Sequence, residues 1–93
     1  MPAPGDGDWN VLDQTGLYAA VLQSGFFPPP ADGWLIRQAP ATTPTAWVQS
    51  SVEADPGKEL NLPVQSAGSY VVQAAYTVGG VIQTWSSSQS VTI

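Results

Sequence analysis

The stretch Ser69-Tyr70-Val71-Val72-Gln73-Ala74-Ala75-Tyr76-Thr77-Val78, with Gly79-Gly80 and Val81 behind it, decides the fold class. Tyr70, Val72, Ala74, Tyr76 and Val78 share one parity, and Ser69, Gln73 and Thr77 the other. A period of two over ten residues defines a strand with one face on a core. Paired glycines tolerate the positive φ that a tight turn demands, so a hairpin follows, its second arm running from Val81 to Ile93. In that arm Trp85, Val91 and Ile93 share parity, which assigns Trp85 to the core or its rim, and Ser86-Ser87-Ser88 marks a bulge or break.

Working upstream, Leu60, Leu62 and Val64 alternate with Glu59, Asn61 and Pro63, giving a strand over Glu59–Val64. Pro63 lacks an N–H for a ladder, so this strand lies at an edge or ends there. Trp34–Gln38 and Thr45–Val52 read as strands separated by the Pro-containing loop 39–44, and Glu53–Lys58 reads as a loop turning at Asp55-Pro56-Gly57. Leu17–Gln23 fits strand and helix periods alike. Strand is preferred because Gly16 and Gly25 bracket only eight residues and Pro28-Pro29-Pro30 stops anything longer. Trp9–Asp13 completes seven strands as a first edge, preceded by a Pro/Gly arm over residues 1–8. Scarce helix formers and turn signals every ~8–12 residues give an all-β sandwich.

At 93 residues, 43% hydrophobic and a net charge of −5, the chain can bury enough apolar surface to fold as one small domain. It has no Cys and no His, which removes thiol catalysis, disulfides, imidazole bases and the usual zinc ligand sets. Arg37 and Lys58 are its only cationic side chains, so a polyanion would meet repulsion and release few counterions; nucleic acid is not expected as a partner. No run approaches the ~20 apolar residues that span a bilayer, and the first eight residues lack the basic start and apolar run of a secretory signal, so no membrane partner is expected.

In order and motif the chain resembles a fibronectin type III domain of the immunoglobulin-like class over Leu17–Ile93. The residues carrying the likeness are Leu17–Leu22, the turn 28–33, Trp34–Gln38, Thr45–Val48, Leu60–Val64, the corner Ser66-Ala67-Gly68 before Tyr70-Val71-Val72-Gln73-Ala74, and Gly79-Gly80 ahead of Trp85-Ser86-Ser87-Ser88. The resemblance implies a seven-strand sandwich in which the Tyr70 ring packs at a corner while its hydroxyl bonds upstream backbone. Two features depart from the family: Leu22 and Phe26-Phe27 stand where a core Trp is usual, and Arg-Gly-Asp is absent, removing an integrin argument.

Catalysis needs an activated nucleophile or two carboxylates in contrasting environments. The hydroxyls of Ser86–Ser90 have no base nearby in sequence and read as a solvated strand face. Asp6, Asp8 and Asp13 lack the rest of a calcium loop and read as an acidic arm. No catalytic residue, cofactor or metal is expected. The aromatics are more informative, because exposed rings anchor interfaces. Trp47 shares parity with Gln49 and Ser51 rather than with Val48 and Val52, and Phe26-Phe27 beside three prolines cannot both point inward. With the arm residues Met1, Pro2 and Pro4, and Trp9 on the first strand, these make the candidate contact set.

Two functions fit. A sandwich that starts at its own Met, without a signal or companion domain and rich in Ser, Thr, Gln and Val, resembles the small accessory proteins of tailed bacteriophages. That implies a non-enzymatic virion protein, assembled in the host cytoplasm, decorating a viral capsid or tail protein through its arm and exposed aromatics. Alternatively the chain is a carbohydrate-binding or adhesion module of a larger secreted protein, with Trp47 stacking on a host-surface glycan. A homo-oligomer is compatible with either.

Overall fold

The computed structural model describes residues 1–93 as eight β-strands: β1 (Trp9–Gln14), β2 (Leu17–Leu22), β3 (Gly33–Pro40), β4 (Val48–Gln49), β5 (Leu60–Asn61), β6 (Ser69–Val78), β7 (Val81–Ile82) and β8 (Gln89–Thr92). They form two antiparallel sheets. One has the order β1-β2-β5; in the other β4-β3-β6 is continued by β7 and β8, which pair with opposite ends of the same β6 edge. The second sheet curls as a half-barrel, and Gln89 on β8 reaches β1, its amide donating to the Trp9 carbonyl at 2.8 Å.

Two tight turns set the hairpin registers. Gly79-Gly80 joins β6 to β7 at φ 58° and 79°, and Thr15-Gly16 joins β1 to β2 at φ 52° and 92°. Glycine takes this conformation freely; Thr15 takes it against its branched Cβ.

The inner faces meet in a core of Trp9, Ala20, Leu22, Trp34, Ile36, Leu60, Leu62, Val72, Ala74 and Tyr76. Neither the Trp9 nor the Trp34 indole N–H finds an acceptor, so packing alone holds these two rings. Glutamine side chains bond backbone groups where strand pairing stops. Gln38 is buried, and its amide donates to the Val64 carbonyl at 2.9 Å while its oxygen accepts the Val64 N–H at 3.0 Å. Gln65 does the same for Tyr18, at 2.8 and 2.9 Å. A primary amide offers a donor and an acceptor side by side, so each glutamine stands in for a missing strand. The Tyr70 hydroxyl donates to the Ser66 carbonyl at 2.8 Å, the corner contact that the resemblance implied.

Both edges of the β3–β6 pair break at one level by one device. Cross-strand partners Ile36 and Ala74 turn their remaining backbone groups outward. On one side the Ser50 hydroxyl accepts the Ile36 N–H at 3.0 Å, and on the other Ser86 Oγ accepts the Ala74 N–H at 2.9 Å. Each serine N–H returns a bond to the facing carbonyl, at 2.9 Å to Ile36 and 2.8 Å to Ala74. From Thr77 to Tyr70 the central strand takes seven steps while the arm from Ile82 to Val91 takes nine, so two residues are extra around Ser86. On the other edge, Arg37 to Trp34 faces Gln49 to Glu53, one residue in excess.

These bulges account for the main corrections to the sequence reading. The expected last strand divides into β7 and β8, making eight strands instead of seven. Trp85 leaves the core parity of Val91 and lies over the outer face, against Arg37. Ser86 is only 4% exposed, so the hydroxyl tract is not uniformly a solvated face. The expected strands Thr45–Val52 and Glu59–Val64 shrink to the two-residue β4 and β5, because bulging and Gln38 replace ladder bonds on their flanks. β3, by contrast, runs on through Ala39 and Pro40 into the expected loop.

Candidate functional site

The candidate contact residues separate into three places. Trp9 is 1% exposed and belongs to the core, so it offers no surface to a partner. Trp47 lies on the outer face of the five-stranded sheet. The remaining five, Met1, Pro2, Pro4, Phe26 and Phe27, belong to the arm and the loop after β2; all but the buried Pro4 line or pack beside two hollows at one end of the molecule.

That end is built by short-range devices. Residues 5–8 form a turn in which Asp8 N donates to the Gly5 carbonyl at 3.0 Å and Gly5 N donates to Asp8 Oδ2 at 2.8 Å. The turn folds the arm back so that Pro4 is buried, Met1 packs on the core and the terminal amine reaches Gln83 Oε1 at 3.5 Å. In the other segment Ser24 Oγ accepts the Phe26 N–H at 3.1 Å, a local turn that sends two consecutive Phe side chains apart. Phe27 packs on the core and meets Tyr76 edge-on, with ring centroids 6.3 Å apart at 80°. Phe26 is 75% exposed, the most exposed large apolar side chain of the molecule.

Two adjoining hollows open here. Asp8, Ser24, Phe26, Phe27, Pro28 and Tyr76 line one; Met1, Pro2, Ala3, Asp8, Pro28, Pro29 and Tyr76 line the other. Asp8, Pro28 and Tyr76 are common to both. Burial pushes the Tyr76 phenol above its ordinary pKa, and the Asp8 charge adds to the shift. Asp8 and Tyr76 are among the lining residues that the aromatic-contact reasoning missed, with Ala3, Ser24, Pro28 and Pro29. Asp8 was legible only as an acid in a glycine-rich arm, and Tyr76 as a core residue of β6.

On the outer face the Arg37 guanidinium lies 4.2 Å from the Trp47 ring centroid and 4.3 Å from that of Trp85. Its Nε and Nη2 both donate to Gln73 Oε1, at 2.9 and 2.6 Å, and Gln73 Nε2 donates onward to Ser88 Oγ at 3.2 Å. Desolvation draws the Arg37 pKa down. Leu35 and Ala75 on this face are as buried as the core, so the outer side of the β3–β6 pair is covered as well as the inner one. One ring face of Trp47 is thereby occupied by Arg37. Sequence parity places Trp47 on this face, but no local signal pairs it with Arg37 or Trp85.

Of the polar groups singled out for chemistry, Ser86, Ser88, Asp8 and Asp13 are engaged in structure. Ser86 Oγ donates to the Ser87 carbonyl at 2.9 Å while accepting the Ala74 N–H. Asp13 Oδ1 accepts the Gly16 N–H at 3.0 Å at the β1–β2 turn, the opposite end of β1 from Asp8, and no three acidic side chains gather as a metal site. Asp32 clamps the β6–β7 turn: its carboxylate accepts the Thr77 hydroxyl at 2.8 Å and the Gly79 N–H at 2.6 Å. The Thr77 bond, then the Gly79 bond, hold its carboxyl below the usual range. Comparison of the chain with protein-family models, with curated proteins and with solved structures returns no match.

Proposed function

We propose that the chain is a non-enzymatic docking module, an immunoglobulin-like sandwich that decorates a viral capsid or tail lattice through the end formed by its arm and the Phe26–Pro29 loop. The observation that carries this reading is the exposure of Phe26 at an end where two segments distant in sequence meet, Phe27 and Pro28 lining its hollow and Met1 and Pro2 lining the adjoining one around the shared Asp8. The fold part of the proposal rests on the partition of strands into β1-β2-β5 and β4-β3-β6-β7/β8 and on the Tyr70 corner bond. The virion part rests on analogy of composition and size with phage accessory proteins. Many copies on a lattice would gain avidity from a contact this small.

The glycan-binding alternative depends on Trp47, and Arg37 already covers one of its ring faces, so the docking reading is preferred.

The test is co-sedimentation of the purified chain with tailed-phage particles, comparing the wild type with Phe26→Ala and Trp47→Ala. Saturable binding lost in Phe26→Ala and kept in Trp47→Ala supports the reading. Absence of binding by the wild type, or loss only with Trp47→Ala, overturns it. Deletion through residue 11 is not a clean arm test, because it removes the core residue Trp9 and half of the β1–β2 register.

A further inference from the structure

We propose that the hollow between Asp8, Phe26, Phe27 and Tyr76 is a receptor for a basic side chain, a guanidinium or ammonium group presented by the protein on which this end docks. The inference rests on the docking reading above and specifies the chemistry of the partner.

Asp8 is the acidic member of both hollows, and the other lining residues are apolar or uncharged. Its Oδ2 is held by the Gly5 N–H at 2.8 Å, which fixes the carboxylate and leaves Oδ1 for an incoming donor. No cation of the chain itself claims it. Arg37 is engaged between Trp47 and Trp85 on the outer sheet face, Lys58 sits in the turn before β5, and the terminal amine is directed at Gln83 Oε1. A wholly apolar occupant would strip water from a charged carboxylate and return nothing, whereas a cation would compensate it. The walls favour the same guest: Phe26, Phe27 and Tyr76 offer aromatic rings, and ring faces attract cations. The chain's net charge of −5, with Asp6 two residues from Asp8, adds long-range attraction for a basic surface. Burial is the main reason the Tyr76 phenol pKa lies high, and the smaller contribution of the Asp8 charge agrees with the carboxylate facing the same hollow.

The experiment titrates 15N-labelled full-length chain with Nα-acetyl-arginine amide, Nα-acetyl-lysine amide and Nα-acetyl-leucine amide, following backbone amide shifts. The variant is Asp8→Asn, whose side-chain oxygen still accepts the Gly5 N–H. Saturable shifts centred on residues 8 and 24–27 with either basic probe, at least five-fold weaker in Asp8→Asn and at least five-fold weaker with the leucine probe, support the proposal. Equal binding of the leucine probe, equal binding by Asp8→Asn, or no saturable shift with either basic probe overturns it. Co-sedimentation separates its failure from that of the docking reading. If Phe26→Ala releases the chain from particles while Asp8→Asn does not, the end docks without a cation and only this inference falls; if the wild type does not sediment with particles, the docking reading falls.

Discussion

Replacing Ser86 with Ala should unfasten the bulged edge of the central strands. The Ser86 side chain is 4% exposed, and its hydroxyl is the acceptor, at 2.9 Å, for the backbone N–H of Ala74 in the middle of β6. Alanine keeps the main-chain bond from residue 86 to the Ala74 carbonyl but leaves the Ala74 N–H buried without a partner. A buried unsatisfied donor costs about 1–3 kcal/mol, and the void left by one hydroxyl is too small to admit a compensating water readily. For a domain of this size that corresponds to a fall in Tm of roughly 4–8 °C per kcal/mol. Ser87, exposed one residue away, serves as control, and Ser87→Ala should stay within about 0.5 kcal/mol of the wild type. Urea unfolding followed by Trp fluorescence gives the free energies, and amide hydrogen exchange at Ala74 gives the local effect. If Ser86→Ala matches Ser87→Ala in stability and the Ala74 amide keeps its protection, the account of the bulge as a hydroxyl-for-carbonyl exchange is wrong.

Further predictions concern the turns, the outer layer and acid stability. Thr15 holds φ 52° in the β1–β2 turn, so Thr15→Asn, which makes Asn-Gly, should stabilise the chain by about 0.5–1 kcal/mol in urea unfolding, and a destabilised variant would refute the strain argument. Arg37→Ala removes two cation–ring contacts worth about 0.5–1 kcal/mol each at a partly exposed site, so a loss of about 1–2 kcal/mol with altered Trp emission is expected, and an unchanged melt would mean that the stack is incidental. The Asp32 carboxyl is held below its unfolded value, so the stability it contributes is present above the unfolded pKa near 3.8 and is lost as pH falls through the folded one. Asp32→Asn should therefore flatten the decline of the urea midpoint below about pH 4; a decline identical to the wild type's would show that other carboxyls set it.

The parts of the fold legible in sequence are those in which period and punctuation agree. β6 carries ten residues of alternation and ends on Gly79-Gly80, and its bounds in the structure are those expected. β2 was ambiguous by period and was settled by the short distance between its flanking glycines. What could not be read is where backbone pairing gives way to side chains. A serine hydroxyl that replaces a carbonyl goes with extra residues in its strand, one at Ser50 and two around Ser86, and nothing in Ser-Ser-Ser says which serine does so. Trp85 was assigned to the core for that reason. Gln38 and Gln65 end strands early by acting as strands themselves, although in sequence each is one more polar residue. β6 was expected to bury one face, yet Ala75 and Thr77 are buried as well; on that side Arg37 of β3 meets Trp47 from the segment before β4 and Trp85 from the segment between β7 and β8, while the Thr77 hydroxyl bonds Asp32. At the end formed by the arm and the Phe26 loop, the outward turn of one Phe of the pair followed from geometry alone. That Asp8 lines a hollow with Phe26, and Met1 and Pro2 line the adjoining one, depends on the turn at residues 5–8, which folds the arm back instead of projecting it.

The most direct test of the docking account is a hydrogen-exchange footprint of the chain bound to particles against the free chain. New protection confined to residues 1–8 and 24–29, with the segments around Trp47 and Trp85 unchanged, is the predicted result. Protection centred on residues 47–49 and 85–88 with the arm and the Phe26 loop unaffected would contradict it, and would move the binding face to the outer side of the five-stranded sheet.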